Sequence, residues 1–455
     1  MEKEIVIIGA GLTGLTLAFQ LKKQGKDVLV IEKSGRTGGV IHTVKEDGFV
    51  FETGPSTGVV GNPEVAELFE DLKGLCKFEA ADPNAKRRLI WKKGKWRALP
   101  SGLISAVSTP LFTVKDKFRV LGEPFRRKGE NPEENLTSFV KRRLGTSFLH
   151  YAVDPFVSGV YAGDPEYLIP KYALPKLYNL EQDYGSFVRG SFQKAKEKKA
   201  NPRLQKATRE VFSAEGGLSN LIEALTKKTG TENILLNAEN TTVIPERDGF
   251  MIKTEIGKNP VQIKAHEVVT TVGGYALSDL LPFLSTEEMT PFNELIYASV
   301  VQVIAGFKKW GGIPLNAFGG LVPTLENKNI LGALFTSSFF SRRAPEEGAV
   351  ISVFMGGTKR PDIFAMDDNK IHSILKNEVG EMLGLTGFSP DLLKLYRYRH
   401  AIPQYGLSSA ERFRTIERVQ QKYPGLTLAG NIRNGIGMAD RIKQACDIAI
   451  ELCSS

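Results

Sequence analysis

The sequence predicts an α/β protein. A Rossmann-like βαβ domain for a dinucleotide is interrupted by a mixed-sheet segment and a mostly helical one. Three observations carry this. The first forty residues run strand, glycine turn, helix, strand, acid. A second strand–glycine–helix series closes the chain. Between them the pattern turns helical after residue 100, and strands return after residue 206.

Each piece of the opening series has a physical task. Glu4 to Ile8 reads as a short apolar strand, and Gly9, Gly11 and Gly14 supply the G-x-G-x-x-G spacing. Gly9 permits the tight turn, Gly11 lets backbone approach a pyrophosphate, and Gly14 lets helix pack on strand. Leu15, Ala18 and Leu21 give a helical period, and the N-terminus of that helix offers free N–H groups to phosphate. Val28 to Ile31 is the second strand, ending at Glu32, which can accept from a ribose hydroxyl. The bland alternative is a glycine-rich turn in an ordinary α/β domain. The run Glu32-Lys33-Ser34-Gly35-Arg36-Thr37-Gly38-Gly39-Val40 extends the site. An arginine and a glycine pair just past the acid suit a second close approach to the same ligand. Nicotinamide enzymes do not need it.

Gly48 to Pro55 reads as a strand ending in a turn, and Asn62 to Leu72 as a capped helix. Arg87 to Leu99 is a basic hairpin turning at Lys93-Gly94. Residues 100–206 carry basic clusters at Arg126-Arg127-Lys128, Lys141-Arg142-Arg143 and Lys194 to Lys199. Strand patterns follow at Asn233–Leu236, Thr241–Ile244, Phe250–Thr254, Glu267–Thr271, Ser299–Phe307 and Val350–Phe354. Leu426 to Ala429 enters a final glycine turn, and Asp440 to Leu452 is a closing helix.

The chain has 455 residues, room for two or three domains. A hydrophobic share of 42% against 24% charged is that of a globular protein, not a disordered one. The net charge of +9 favours anionic partners. Cys76, Cys446 and Cys453 form no C-x-x-C pair, so neither disulfides nor structural zinc is expected, and a reducing, cytoplasmic setting is. The five histidines show no ligand spacing, and no metal is expected. No signal peptide and no membrane-spanning run is read. Nucleic acid is not expected either, since no recognition helix or aromatic-basic platform accompanies the charge.

The Glu32 to Gly39 run resembles the E-x-x-x-R-x-G-G signature of the FAD-containing amine oxidase superfamily. Within it the chain resembles the flavin-dependent protoporphyrinogen and coproporphyrinogen oxidases over nearly its whole length. The likeness rests on Gly9–Gly14, Glu32–Gly39, Gly54-Pro55-Ser56, Ala98-Leu99-Pro100-Ser101-Gly102, Glu215-Gly216-Gly217-Leu218, Phe318-Gly319-Gly320-Leu321-Val322-Pro323, Met355-Gly356-Gly357 and the terminal Gly-Asn-x-x-x-Gly-x-Gly. The resemblance implies an FAD-binding domain from 1–82, 207–285 and 403–455. It implies a substrate domain from 83–99 and 286–402, and a helical, membrane-associating domain from 100–206.

For the cofactor it implies Gly9, Ala10, Gly11, Leu12, Thr13 and Gly14 at the pyrophosphate and Glu32 and Lys33 at the ribose. Arg36, Gly38, Gly39 and Val40 would run beside it. Gly54, Pro55, Ser56 and Thr57 would approach the flavin ring, Val243 the adenine, and Ile436, Gly437 and Met438 the flavin from the far side. For a porphyrinogen it implies Arg88 on a propionate and Phe318, Gly319, Leu321 and Phe354 as apolar walls. Phe354 departs from the methionine common in relatives. By their residue types alone, the same aromatic and aliphatic positions are core residues and Arg88 is a solvated charge.

The reaction implied is oxidation of protoporphyrinogen IX to protoporphyrin IX in haem biosynthesis, six electrons leaving in three flavin turnovers, with molecular oxygen the expected acceptor. No catalytic side chain is expected beyond the flavin. Coproporphyrinogen III, another amine oxidase or desaturase activity, and a binding module like the GDP-dissociation inhibitors stay open as alternatives. Leu103, Ile104, Val107, Leu111 and Phe112, beside the basic clusters, are expected to give a peripheral contact with the inner face of the cell membrane. Oligomeric state is not legible, and a homodimer stays open.

Overall fold

The structure, a computed structural model, describes residues 1–101 and 103–454. Gly102 therefore lies outside the described residues, as do the side chains of Leu103, Ile104 and Val107. Two seven-stranded sheets organise the chain. The first grows from β1 (Glu2–Ile8), α1 (Leu12–Lys23) and β2 (Val28–Ile31). β1 pairs in parallel with β2 on one side and with Asn259–Thr270 on the other, Ile8 lying opposite both Ile31 and Thr270. The strand Asn259–Thr270 pairs early with Gly249–Ile256 and late with Leu426–Leu428, Leu428 lying opposite Thr270. The two ends of the chain thus share one sheet.

β1 and β2 are apolar throughout because both faces of a parallel sheet are covered. Alternate residues serve different layers. Ile5 and Ile7 pack with Leu15, Leu221 and Ile442, whereas Val6 and Ile8 pack with Ile252, Val268 and Ile416. The helix Thr286–Asn293 puts Met289 and Phe292 into the second layer. The first domain's core therefore runs a few residues past the expected boundary at 285, to Leu295.

The second sheet has the order Leu392–Pro403, Tyr297–Phe307, Ala349–Gly356, Ile330–Leu334, Gly319–Leu321, Arg88–Lys92, Lys95–Ala98. The hairpin turns where expected, with Lys93 and Gly94 both at positive φ. The strand Leu392–Pro403 carries charges along its length and gives no clean alternation, which hid it in the sequence.

The helical segment is held by a buried ion cluster. Arg143 is fully buried and pairs with Glu123 (3.0 Å) and Glu181. Glu123 also accepts from the Ser186 hydroxyl (2.6 Å) and the Phe187 N–H (2.9 Å), so it closes the start of helix Phe187–Ala200. Leu111 and Phe112, expected to be exposed, are instead buried, Phe112 stacked 3.8 Å from Phe148. They bury because the loop that carries them covers Ile90 and Tyr151. The exposed apolar surface lies one turn later, on helix Val114–Leu121.

The turn after β1 is the tightest point of the first domain. A Cβ on Gly14 would stand 1.9 Å from the Gly9 carbonyl oxygen, and one on Gly9 would stand 2.7 Å from Thr271 Oγ1. Gly14→Ala is therefore expected to destabilise the fold by about 2 kcal/mol or more, measured by urea denaturation.

Candidate active site

α1 begins without a cap. Gly11 precedes it, no side chain bonds its first N–H groups, and no acid lies in its first turn. Some helices elsewhere are closed by Thr113, Asn135, Ser186 and Ser285, while those at Pro63–Asp71, Ser219–Thr229 and Ser409–Lys422 also start without a side-chain cap. Open N–H groups with the positive end of the helix dipole form an anion site. Gly11 supports this, since a Cβ built on it would have no protein atom within 4 Å. Unlike Gly9 and Gly14, it is not made small by its own protein. The space beside it is open.

Glu32 sits at the end of β2 with its carboxylate accepting from the Ala10 N–H (2.8 Å) and from Ser34 (2.8–2.9 Å). Gly38 bridges to Gly11, and its N–H donates to the Ala10 carbonyl (2.8 Å). Arg36 folds back on its own loop, donating to the carbonyls of Gly39 (2.7 Å), Thr37 and Ile41 (both 3.1 Å). It shapes the loop rather than reaching out of it. Val40 is left 59% exposed, and its carbonyl oxygen stands where a Cβ on Gly54 would be, 2.1 Å away. Lys33 is exposed.

The segment Glu52–Thr57 is held against the second sheet. Gln302 Nε2 donates to the Glu52 carbonyl (3.0 Å), and the Tyr398 hydroxyl donates to the Thr53 carbonyl. Gln302 is 1% exposed and pairs with Phe354 across the sheet. From there the register runs Gln302, Phe354, Gly332, Leu321, Ile90, Arg97 in one row. Residues paired directly across strands point to one face. The parallel row two residues along is Ile304, Ser352, Leu334, Gly319, Arg88. Arg88, Gly319, Leu321 and Phe354 therefore share the face on which the Glu52–Thr57 segment sits. Gly332, between Phe354 and Leu321, is closely approached: a Cβ on it would stand 2.6 Å from the Gly320 carbonyl oxygen and 3.1 Å from Leu321 Cδ2. The opposite side is furnished by the helical segment, where Gly159 lies against Leu321.

Phe318 and Leu334 pack on the Ala85–Phe339–Phe340 cluster. The Phe318 ring is 4.4 Å from Phe339, and the Arg88 guanidinium lies 6.0 Å over it. Arg88 itself is exposed and forms no ion pair among the described residues. Ser56 is buried, with Gly54, Pro55 and Thr57 half-buried around it. Its hydroxyl and that of Ser352 have no partner among the described residues.

At the other end, Met438 opens the closing helix Met438–Ser454, Gly437 is exposed and Ile436 half-buried. The Gly437 N–H donates to Asp440 (3.2 Å). The preceding loop is fixed by its carbonyls. Arg412 donates to Ile432 (2.9 Å), Arg441 to Arg433 and Asn434 (both 2.9 Å), and the Tyr405 hydroxyl to Asn431 (2.7 Å). Val243 is fully buried on the edge strand Ala238–Glu246. Its side chain is core, and only its main chain is left for a base.

Burial, reinforced by the Arg36 charge, lowers the His42 pKa. Burial raises that of Glu52, against the Leu218 N–H and the Thr43 hydroxyl that hold its charged form. The Tyr398 phenol is likewise raised by burial. Sequence reasoning missed Gln302, Tyr398 and Gly332. Gln302 had a signal, as the one polar side chain within the apolar run Val300–Phe307. Gly332 and Tyr398 acquire meaning only from register.

The flavin containing amine oxidoreductase family matches residues 12–449. Protoporphyrinogen oxidase 2, chloroplastic/mitochondrial, of Arabidopsis thaliana is 28% identical and covers 100% of this chain and 95% of its own. Coproporphyrinogen III oxidase of Bacillus subtilis is 24% identical, covering 97% and 96%. Among solved structures, a provisionally named protoporphyrinogen oxidase from Exiguobacterium sp. 255-15 superposes with a TM-score of 0.80 at 23% identity, covering 99% and 98%. A putrescine oxidase variant gives 0.72 at 14%, covering 100% and 99%. The family match and the relatives agree: the chain belongs to the flavin containing amine oxidoreductase family and is an oxidoreductase of that kind.

Proposed function

We propose that the protein is an FAD-dependent porphyrinogen oxidase that converts protoporphyrinogen IX to protoporphyrin IX, with oxygen as acceptor. One observation carries this reading. The segment expected beside a flavin ring is anchored by Gln302 and Tyr398 to the same sheet face that bears Arg88, Leu321 and Phe354. The relatives named as protoporphyrinogen oxidases support it.

The residues fit FAD. The open N–H groups of α1 would hold its diphosphate, Glu32 its ribose, and the main chain of Gly38–Val40 and Gly54–Thr57 its length. When bound, FAD supplies a two-electron acceptor that takes hydride from the substrate's bridging carbons in three rounds. The protein's part is placement. Leu321 and Phe354 exclude water from an apolar macrocycle. Arg88 pairs with a propionate by a charge-assisted hydrogen bond. No side chain need act as a nucleophile.

Coproporphyrinogen III is the second reading, favoured by the Bacillus subtilis relative. Porphyrin fluorescence, measured from each porphyrinogen in parallel with and without oxygen, tests both. Porphyrin from neither substrate, or a purified protein without a flavin spectrum, would overturn the proposal.

A membrane contact is part of the reading. Val114, Phe118, Leu121 and Phe125 are 67%, 68%, 71% and 83% exposed, and the first three fall on one face of helix Val114–Leu121. Phe192 is exposed on helix Phe187–Ala200, and Arg189 of that helix lies over Phe125. Arg127 and Lys128 are exposed beside them. Apolar side chains ringed by cations suit the interface of an anionic bilayer. Among the described residues no helix is long and apolar enough to cross a membrane.

Three outcomes are expected. Gly11→Trp should fold yet lose FAD, read from the visible spectrum after gel filtration. Arg88→Ala should raise KM about tenfold with little change in kcat, read from steady-state kinetics. Phe118→Ser with Phe125→Ser should abolish co-sedimentation with phosphatidylglycerol vesicles while leaving the thermal midpoint in place.

A further inference from the structure

The loop 430–435 leaves the strand Leu426–Leu428 at the carboxyl ends of the parallel strands, beside the start of α1. Every carbonyl in it is taken by one of three buried side chains. Arg441 donates to those of Gly430, Arg433 and Asn434, and Arg412 to that of Ile432. The Tyr405 hydroxyl serves those of Asn431 (2.7 Å) and Gly435 (3.1 Å). In a trans peptide the N–H points opposite to the preceding carbonyl. The N–H groups of residues 431–436 therefore face away from these three donors. None of them has a hydrogen-bond partner among the described residues.

Two of the three donors are charged. Arg412 is fully buried and Arg441 is 8% exposed. Beyond the loop they touch only neutral partners, the Ser409 hydroxyl (3.0 Å) and the Gln444 amide oxygen (2.8 Å). Arg412 Nη1 and Arg441 Nε have no partner among the described residues. Asp440, next to Arg441 in the chain, accepts instead from the Gly437 N–H. Burial draws both guanidinium pKa values down, the mark of unpaired charge, and arginine nonetheless keeps its proton. A buried cation without a counter-ion is costly, and neutral donors such as Tyr405 hold carbonyls without that cost. The chain thus leaves two positive charges for an anion it does not itself supply.

We infer that Arg412 and Arg441 set an uncompensated positive field behind this loop, and that the field raises the reduction potential of the flavin. The inference rests on the FAD reading, in which Ile436, Gly437 and Met438, directly after the loop, lie against the flavin ring. The oxidised ring is neutral, and the reduced ring gains negative charge on its pyrimidine side. A fixed positive field in a medium of low dielectric favours the charged form. The diphosphate is charged in both states, so a field that served it alone would strengthen FAD binding and leave the potential where it was. The two arginines act through the loop they hold, as tuning residues.

The test uses the FAD-loaded protein: wild type, Arg412→Gln, Arg441→Gln and Arg441→Lys. The flavin midpoint potential is measured by anaerobic dye titration, and sulfite affinity by bleaching of the visible band. The wild-type potential should lie above that of free FAD. Each glutamine variant should move the equilibrium about tenfold toward the oxidised form, a fall of about 30 mV, and weaken sulfite binding in proportion. Arg441→Lys keeps the charge and should keep the potential. A wild-type potential at or below that of free FAD would overturn the inference, and that measurement needs no variant to fold. So would glutamine variants with an unchanged potential, or a lysine variant that falls as far as the glutamine one. A protein that holds no flavin would instead remove the FAD reading beneath it.

Discussion

The molecule depends on a single crowded crossing. Three parallel strands end side by side at Ile8, Thr270 and Leu428. Thr271 stands among them, its N–H and hydroxyl both donating to the Ile8 carbonyl (2.9 and 3.1 Å). Gly9 and Gly430 flank it, and a Cβ on Gly430 would come within 2.6 Å of the Thr271 carbonyl oxygen. The strands approach this closely only because both neighbours lack side chains. Their carboxyl ends therefore form one narrow rim, the place where open α/β sheets hold ligands. The start of α1, the Glu32 carboxylate and the fixed loop before Met438 all issue from that rim.

The second sheet contributes through register rather than through any one motif. Gln302 joins the rim's outgoing segment to a row of side chains, and the row sets what lies at each step from the anchor. With strands about 4.8 Å apart, Phe354 stands one step away, Gly332 two and Leu321 three. The helical segment completes the enclosure because Asp154 is tied to Lys359 (2.5 Å) and to Thr324 (2.8–2.9 Å) of the sheet's loops. Its distal part is anchored by Arg203 on Glu64 (3.0 Å) and Glu67 (2.9 Å) of the first domain.

Local sequence carried the first domain well, because β1, α1 and β2 follow one another without insertion and each glycine has a fixed role. The hairpin at Arg88 was legible for the same reason, its turn and alternation being contiguous. What stayed hidden was relational. Val243 reads as an adenine contact but spends its side chain on the core. Arg36 reads as a ligand residue but bonds the carbonyls of its own loop. Leu111 and Phe112 are as apolar as Phe118 and Phe125, and only the neighbour above Ile90 decides which pair is buried. Tyr398 lies in a strand whose charges blur the two-residue period. Spacing along a chain cannot show which face a neighbouring strand will cover.

Completing one sheet with strands from both ends of the chain also has a consequence in time. β1 leaves the ribosome early with β2 as a neighbour, but the partner ending at Thr270 comes much later, and the one ending at Leu428 later still. At about 5–20 residues per second, the rim waits on the order of 20–80 s for its last strand. For that interval the nascent polypeptide presents an unfinished edge, and it is then that chaperones have the most to protect.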